Sequence, residues 1–254
     1  MLRRIAIALA LCASACLAAD APKLAGGLFV YCAAGMRLPI EQIARDFEKS
    51  AGVKIELTYD GSNKLLGQIE LTRKGDVYIT GDADYLDMAK QKGFVASQCA
   101  ICRFVPVIMV KKGNPLGVKT LADLLKPKVR IGQGDPKAAA IGRIMPRLLQ
   151  LSGIDSAGWK ANVVVVTATV NELANAIKLG TIDAAVVWNA IAASYPDAAD
   201  AVAIDSARNV FPQVGGAVLT FCANRAAAQS FLDYVTGPAG RSVLARNGYS
   251  VAGR

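Results

Sequence analysis

The sequence predicts an α/β fold of two lobes, each a mostly parallel sheet flanked by helices, joined by two segments that cross between them. Short apolar runs typical of buried strands alternate with segments of helical periodicity along most of the chain. Strands that alternate with helices pair in parallel through crossover connections, and the alternation starts afresh after residue 111. Two β-rich runs, near residues 104–111 and 211–221, are expected to carry the chain between the lobes.

The first lobe begins with an apolar run at residues 28–32, which suits a buried strand. Pro39 is tolerated in the first turn of a helix, apolar residues recur at helical spacing up to Phe47, and Gly52 ends that helix. The same patterns predict, in order, a strand at 53–59, a helix at 63–72, a strand at 76–80 and a helix at 85–92.

The second half repeats the alternation. After a strand at 104–110, the patterns predict a helix at 121–125, a strand at 129–132, a helix at 141–151, a strand at 163–166, a helix at 170–179, a strand at 184–188, a strand at 216–221 and a helix at 227–235. The chain of 254 residues is 53% apolar, which is enough for two lobes with a buried core. We place the first lobe at residues 24–104 and 217–254, and the second at 105–216.

Residues 1–19 have the pattern of an export signal. Arg3 and Arg4 precede a short apolar run at 5–11, and small residues lead to a cleavage site near Ala18 or Ala19. An alternative is lipid attachment at Cys16, which follows Ala13-Ser14-Ala15. No later run is long enough for a membrane helix, so we expect a periplasmic protein that is soluble or only tethered.

The charge and the residue types exclude several classes of protein. The formal net charge is +9, and +7 without Arg3 and Arg4, but the basic residues are scattered and no nucleic-acid motif is present. The chain has no histidine, so a Ser-His-Asp triad is excluded, and it contains no G-x-S-x-G or P-loop motif. We expect Asp82 and Asp84 to be turn and cap residues. The sequence therefore predicts neither an enzyme nor a bound cofactor.

Four cysteines follow the export signal: Cys32, Cys99, Cys102 and Cys222. Cys99 and Cys102 have the C-x-x-C spacing, but they precede a predicted strand, whereas a thioredoxin-type pair opens a helix. Without histidine, and with the other two cysteines isolated, a zinc site is disfavoured. We expect a structural disulfide or plain thiols.

Four predicted strand-to-helix turns consist mainly of small or hydroxyl residues, at 33–35, 61–63, 138–142 and 167–171. Ligands of open α/β sheets bind beyond the carboxyl ends of the strands, where helix N-termini offer free N–H groups and a partial positive charge. Together the turns predict an anion site, although each could be an ordinary helix cap. Arg37, Lys64, Lys137 and Arg143 flank them, either as a solvated rim or in direct contact with ligand.

A family resemblance covers nearly the whole chain after the signal. Its markers, in order, are VYCAAG (30–35), FEKSAGV (47–53), GS (61–62), QIE (68–70), GDVYI (75–79), KGNPL (112–116), LADLL (121–125), GDP (134–136), FLDY (231–234), GP (237–238) and GY (248–249). In this order the chain resembles the periplasmic molybdate-binding proteins of ABC transporters, a branch of the type 2 periplasmic-binding-protein fold.

The resemblance implies a monomer that captures molybdate or tungstate and delivers it to an ABC transporter permease. Carried over by position, the ligand-binding residues are Gly35, Ser62, Ile141, Val170 and Trp188, with Ile141 and Val170 acting through their backbone N–H groups. Gly35 departs from a usual serine and Trp188 from a usual tyrosine, which leaves the identity of the anion open.

Other ligands on the same fold stay open as alternatives. Ferric iron is one, with Tyr31, Tyr59 and Tyr78 as phenolate ligands, although Tyr31 and Tyr78 fall inside predicted strands. Sulfate, phosphate or an organic anion are others, as is a role as a ligand-sensing subunit.

Overall fold

Ten strands form two five-stranded sheets in the computed structural model, which describes residues 26–251. The strands are β1 Leu28–Ala33, β2 Ile55–Asp60, β3 Val77–Thr80, β4 Val95–Arg103, β5 Pro106–Lys111, β6 Ile131–Gly134, β7 Val163–Thr167, β8 Ala184–Trp188, β9 Ala199–Ala203 and β10 Gln213–Leu219.

Nine α-helices in the described part of the chain flank these sheets. They are α1 Arg37–Ala51, α2 Ser62–Thr72, α3 Ala83–Gln91, α4 Ala140–Leu151, α5 Ser156–Ala161, α6 Val170–Lys178, α7 Asn189–Ala193, α8 Arg225–Thr236 and α9 Pro238–Arg246. Short 3-10 helices cover Ala34–Met36, Leu121–Leu125 and Ser206–Arg208. The predicted apolar positions of α1 face the core, since Ile40 and Ile43 are fully buried. None of the helices between residues 26 and 251 combines the length and the apolar character that crossing a bilayer requires.

The two sheets have the same plan. Their strand orders are β2-β1-β3-β10-β4 and β7-β6-β8-β5-β9. In each sheet three strands pair in parallel, and a fourth, β10 or β5, pairs antiparallel on both of its sides. Four of the five strands therefore point the same way, which agrees with the predicted mostly parallel lobes.

The chain passes between the sheets twice. The first passage is Phe104 and Val105, between β4 and β5, and the second is the segment 204–212 between β9 and β10. The two lie side by side, because the Phe104 N–H donates to the Pro212 carbonyl over 3.0 Å and the buried Asn209 amide donates to the Pro106 carbonyl over 3.0 Å. The first passage lies within the predicted run 104–111, and the second lies mostly before the predicted run 211–221 and overlaps it at residues 211 and 212. Most of each predicted run is a paired strand, β5 or β10.

The structure adds elements that the patterns did not predict, namely β4, β9, α5, α7 and α9. Cys99 and Cys102 precede strand β5, as predicted, but they also lie inside β4, which the patterns did not predict. The structure shows both, and also Cys32 and Cys222, as free thiols. Burial raises the pKa of the Cys102 thiol, which therefore stays protonated at neutral pH. The predicted export signal and Cys16 lie outside the described residues.

Candidate functional site

A small cavity lies where the two lobes meet, at the carboxyl ends of the parallel strands. Its volume is about 20 Å³, a little more than one water molecule needs. Residues from both lobes line it: Ala33, Ala34, Gly35, Asp60, Gly61, Ser62, Gly81, Phe104, Ala139, Ala140, Ile141, Thr169, Val170 and Trp188. All five predicted ligand-binding residues are in this set.

Three helices of at least two turns begin at the cavity, one from the first lobe and two from the second. The residues before them, at the N-caps of α2, α4 and α6, are Gly61, Ala139 and Thr169. Neither Gly61 nor Ala139 caps its helix with a side-chain hydrogen bond. The first-turn N–H groups of α2 and α4 are therefore left without the side-chain acceptor that an ordinary cap supplies.

The backbone N–H groups of Ile141 and Val170 are the donors that the resemblance implied. Neighbouring first-turn groups are satisfied, because Gly142 and Arg143 donate to the Ala139 carbonyl and Glu172 donates to the Thr169 hydroxyl. Within residues 26–251, the N–H groups of Ile141 and Val170 have no acceptor. Two partly positive helix ends of the second lobe thus present open donors to one small space.

Ser62 supplies a donor from the first lobe. Its side chain is buried, with 1% exposure, at the first position of α2. Its Oγ accepts a hydrogen bond from the Gly81 N–H over 3.0 Å, and no acceptor for its proton lies in the described part of the chain. Because the oxygen is held by a donor, the hydroxyl proton is free to point into the cavity.

An aromatic wall closes one side of the cavity. The Trp188 indole stacks on the Phe104 ring with centroids 4.2 Å apart and planes 7° apart. Tyr249 lies behind Phe104, at 5.9 Å between centroids, and its hydroxyl donates to the Gly35 carbonyl over 2.5 Å. Phe104 and Tyr249 have no predicted role in the sequence, because their partners lie far away along the chain.

The lining residues include one ionisable side chain, that of Asp60. Its Oδ1 accepts from the Gly61 N–H over 2.7 Å and lies 3.9 Å from Lys64 Nζ. No lysine or arginine lines the cavity among the described residues, so Arg37, Lys64, Lys137 and Arg143 lie outside its lining. Arg37 pairs with Glu41, and Arg143 with Asp82 and Asp84.

Direct contacts hold the two lobes together around the cavity. Asn63 of the first lobe donates through its side chain to the Lys137 carbonyl over 2.6 Å and through its backbone to the Ala138 carbonyl over 3.2 Å. Arg143 of the second lobe pairs with Asp84. Asp82 caps α3 by accepting from the Asp84 N–H, as the predicted cap role requires, and burial raises the pKa of its carboxyl.

The three tyrosines considered as iron ligands do not line the cavity. Tyr78 is fully buried and donates to the Ser62 carbonyl over 2.7 Å, and the Tyr31 hydroxyl lies 3.3 Å from Thr72 Oγ1. The Tyr59 ring lies under the Arg37 guanidinium at 5.0 Å. Residues 26–251 also contain no group of three or more Cys, Asp or Glu side chains placed to hold a metal ion. The arrangement disfavours a ferric site.

Two α/β lobes that enclose a small cavity with neutral donors define a solute-binding protein. The chain belongs to the bacterial extracellular solute-binding protein family, whose model matches residues 28–250. The fold is that of a type 2 periplasmic binding protein, and the proteins that the chain matches are solute-binding proteins and not enzymes.

Among curated relatives, the molybdate-binding protein ModA of Mycobacterium tuberculosis is 26% identical over 228 residues, which cover 89% of this chain and 85% of that protein. A binding protein of Haemophilus influenzae is 31% identical over 163 residues, which are 64% of this chain and 66% of that protein. The chain therefore spans just under two thirds of that relative's length.

Two solved structures share the fold. The periplasmic molybdate-binding protein of Azotobacter vinelandii matches with a TM-score of 0.76 at 18% identity, covering 89% of this chain and all of that one. The sulfate-binding protein SubI of Mycobacterium tuberculosis matches with a TM-score of 0.79 at 14% identity, covering 90% of this chain and 88% of that one. Proteins of this fold thus bind different anions.

Proposed function

We propose that the protein captures a tetrahedral oxyanion, molybdate or tungstate, in the periplasm and delivers it to the permease of an ABC importer. The observation that carries the proposal is the set of neutral donors from both lobes around one small cavity. The Ser62 hydroxyl comes from the first lobe, and the N–H groups of Ile141 and Val170 come from the second.

Neutral donors suit a fully ionised oxyanion. Each oxygen of such an ion accepts hydrogen bonds and carries no proton, so a lining of N–H and O–H donors matches it without a cationic side chain. The partial positive charges at the starts of α2, α4 and α6 offset part of the ion's charge.

Capture requires the lobes to move relative to each other. The ligand contacts both lobes, while the chain connects them through two short adjacent segments, so rotation about these segments opens and closes the cavity. Closure replaces the water molecules around the ion with protein donors. It also places the two lobes side by side, so that together they form the surface to which the permease binds. The protein acts as a monomer in this scheme.

The relatives described as molybdate-binding proteins support the choice of molybdate and tungstate. Sulfate is a second candidate, because the sulfate-binding SubI has the same fold and sulfate is also a tetrahedral dianion. The choice between these anions needs measurement, because Gly35 and Trp188 stand where a serine and a tyrosine are usual and so change both the donors and the space of the cavity.

Isothermal titration calorimetry on residues 20–254 tests the proposal with molybdate, tungstate, sulfate and phosphate. We expect binding of molybdate and tungstate with one site per chain. Heat with sulfate alone would assign the protein to the second candidate, and no heat with any of the four would reject an oxyanion function.

Ser62→Ala tests the donor from the first lobe. The change leaves one ligand oxygen without its hydrogen bond in a buried site, so we expect a loss of about 1–3 kcal/mol in binding free energy. Ser50→Ala is the matched control, because the Ser50 hydroxyl donates to the Phe47 carbonyl in α1, and Ser50 is not among the cavity-lining residues. Equal affinities of the Ser62→Ala variant and the parent would remove Ser62 from the site.

A further inference from the structure

Gly35 and Trp188 occupy one volume at the wall of the cavity. A Cβ atom on Gly35 would lie 2.9 Å from both Cδ1 and Nε1 of the Trp188 indole, and 3.2 Å from Cζ of Phe104. Real Cβ atoms essentially never approach another heavy atom closer than 3.0 Å. The indole therefore fills the space in which a side chain on residue 35 would stand.

The indole has little room to move away from such a side chain. Trp188 is 2% exposed and Phe104 is 1% exposed, and their rings are stacked. The Gly35 backbone is also held, because its carbonyl accepts from the buried Tyr249 hydroxyl. In a close-packed core, neither the indole ring nor the Gly35 backbone can shift without disturbing its neighbours.

The indole N–H of Trp188 has no acceptor within the described residues, although its side chain is buried. The other tryptophan behaves differently, since Trp159 donates from Nε1 to Gln133 Oε1 over 2.6 Å. A buried indole N–H normally finds a partner. The unpartnered donor of Trp188 lies beside Gly35, and both residues line the cavity.

We propose that Gly35 and Trp188 form one specificity-determining pair, in which the Trp188 indole N–H binds an unprotonated ligand oxygen from the space that Gly35 leaves empty. The inference rests on the proposed oxyanion function and deepens it. An indole N–H donates and cannot accept, whereas a serine or tyrosine hydroxyl does both. This wall therefore selects an oxygen that carries no proton, as in a fully ionised oxyanion.

Nuclear magnetic resonance tests the donor directly, because the chain has two tryptophans and so two indole N–H signals. The signals are assigned with Trp159→Phe and Trp188→Phe variants of residues 20–254. On titration with molybdate, and with tungstate and sulfate in parallel, we expect the Trp188 signal to move downfield at saturation. The Trp159 signal should stay close to its starting position because its donor is already bonded.

A double-mutant cycle tests the pair. Gly35→Ser forces its side chain against the indole and should weaken molybdate binding about tenfold or more. Tyrosine lacks the five-membered indole ring whose Cδ1 and Nε1 approach Gly35. The variant Gly35→Ser with Trp188→Tyr should therefore return to within about threefold of the parent. Gly67→Ser is the matched control and should bind like the parent, since a Cβ on Gly67 meets no atom within 4 Å.

The outcomes separate this inference from the proposed function. Calorimetric binding with an unmoved Trp188 signal would overturn the donor assignment and leave the oxyanion function standing. A double variant that binds no better than Gly35→Ser alone would overturn the pairing. No binding of any anion by the parent would reject the proposed function, and this inference with it.

Discussion

Gly61→Ala should block closure of the lobes without unfolding either of them. A Cβ on Gly61 would lie 2.4 Å from the Ala138 carbonyl oxygen and 2.7 Å from the Ala168 carbonyl oxygen, both in the second lobe. The backbone of Gly61, at φ −62° and ψ 143°, accepts an alanine without strain. The whole cost of the substitution therefore falls on the contact between the lobes.

The expected size of the effect follows from the geometry. A relaxed contact is about 3.5 Å, so the lobes would have to separate by about 1 Å. That displacement weakens the hydrogen bonds from Ile141, Val170 and Trp188 to a ligand held by the first lobe. At about 1 kcal/mol for each bond, the loss is about 3 kcal/mol, or about a hundredfold in Kd.

Calorimetry with molybdate measures the loss, and thermal unfolding without ligand shows whether the fold survives. Because opening relieves the clash, the free energy of unfolding should change by less than about 1 kcal/mol. Gly67→Ala on the same helix is the control, since its Cβ meets open space and its binding should be unchanged. Parent-like affinity of Gly61→Ala would refute the account of closure.

Three further predictions concern charged groups. Asp60→Asn removes the carboxylate at the cavity and with it the repulsion between Asp60 and the anion. The binding free energy of molybdate in calorimetry should therefore become more favourable by about 1 kcal/mol. Weaker binding would show that the ligand donates a proton to Asp60. Arg143→Gln breaks the exposed ion pair between Arg143 and Asp84, which joins the lobes. The binding free energy of molybdate should weaken by about 0.5 kcal/mol at low salt and stay unchanged at high salt, because salt screens exposed charges. A loss that persists at high salt would contradict a role for this ion pair in closure. Asp183→Asn should lower the free energy of unfolding by about 1–2 kcal/mol at neutral pH, because Arg130 and then Lys111 hold the pKa of Asp183 well below its usual range. Since that pKa is depressed, the stabilisation is present above the unfolded pKa of about 4 and is lost as the pH falls below it, so parent and variant should converge in acid denaturation curves.

The sequence predicted best those elements whose residues are buried on every side. Strand β8 lies at the predicted residues 184–188, because five consecutive apolar residues between polar ends fit a central strand. Strand β4 was missed because it is an edge strand, with exposed polar residues such as Ser97 and Gln98 that hide the pattern. Helix α5 was missed because its six residues, SAGWKA, are too few for helical periodicity to appear.

The candidate site was predictable where it depends on strand ends. Parallel strands bring their carboxyl ends to one edge of a sheet, so the small residues after β1, β2, β6 and β7 were expected to meet. Residues from all four of these turns line the cavity. Phe104, Gly81 and Asp60 were not predicted to line it. The stacking of Phe104 on Trp188 joins residues 84 positions apart, and no local pattern in the sequence indicates such a contact.

The crossings show a second limit of sequence patterns. An apolar run that leaves one sheet and enters another looks like one long strand, so the sequence placed the crossings only near residues 104–111 and 211–221 and could not separate the strand from the connection. Hydrogen bonding divides them, because Pro106–Lys111 pairs with β8 and β9, and Gln213–Leu219 pairs with β3 and β4. Only the short segments between the paired strands remain as connections.

A crystal structure of the protein with tungstate is the most direct test of a donor set shared between the lobes. Anomalous scattering from tungsten locates the ion without reference to the protein. The account predicts one strong peak in the cavity, with ligand oxygens within hydrogen-bond distance of Ser62 Oγ and of the N–H groups of Ile141 and Val170. A bound ion that contacts one lobe alone, or that lies outside the cavity, would contradict it.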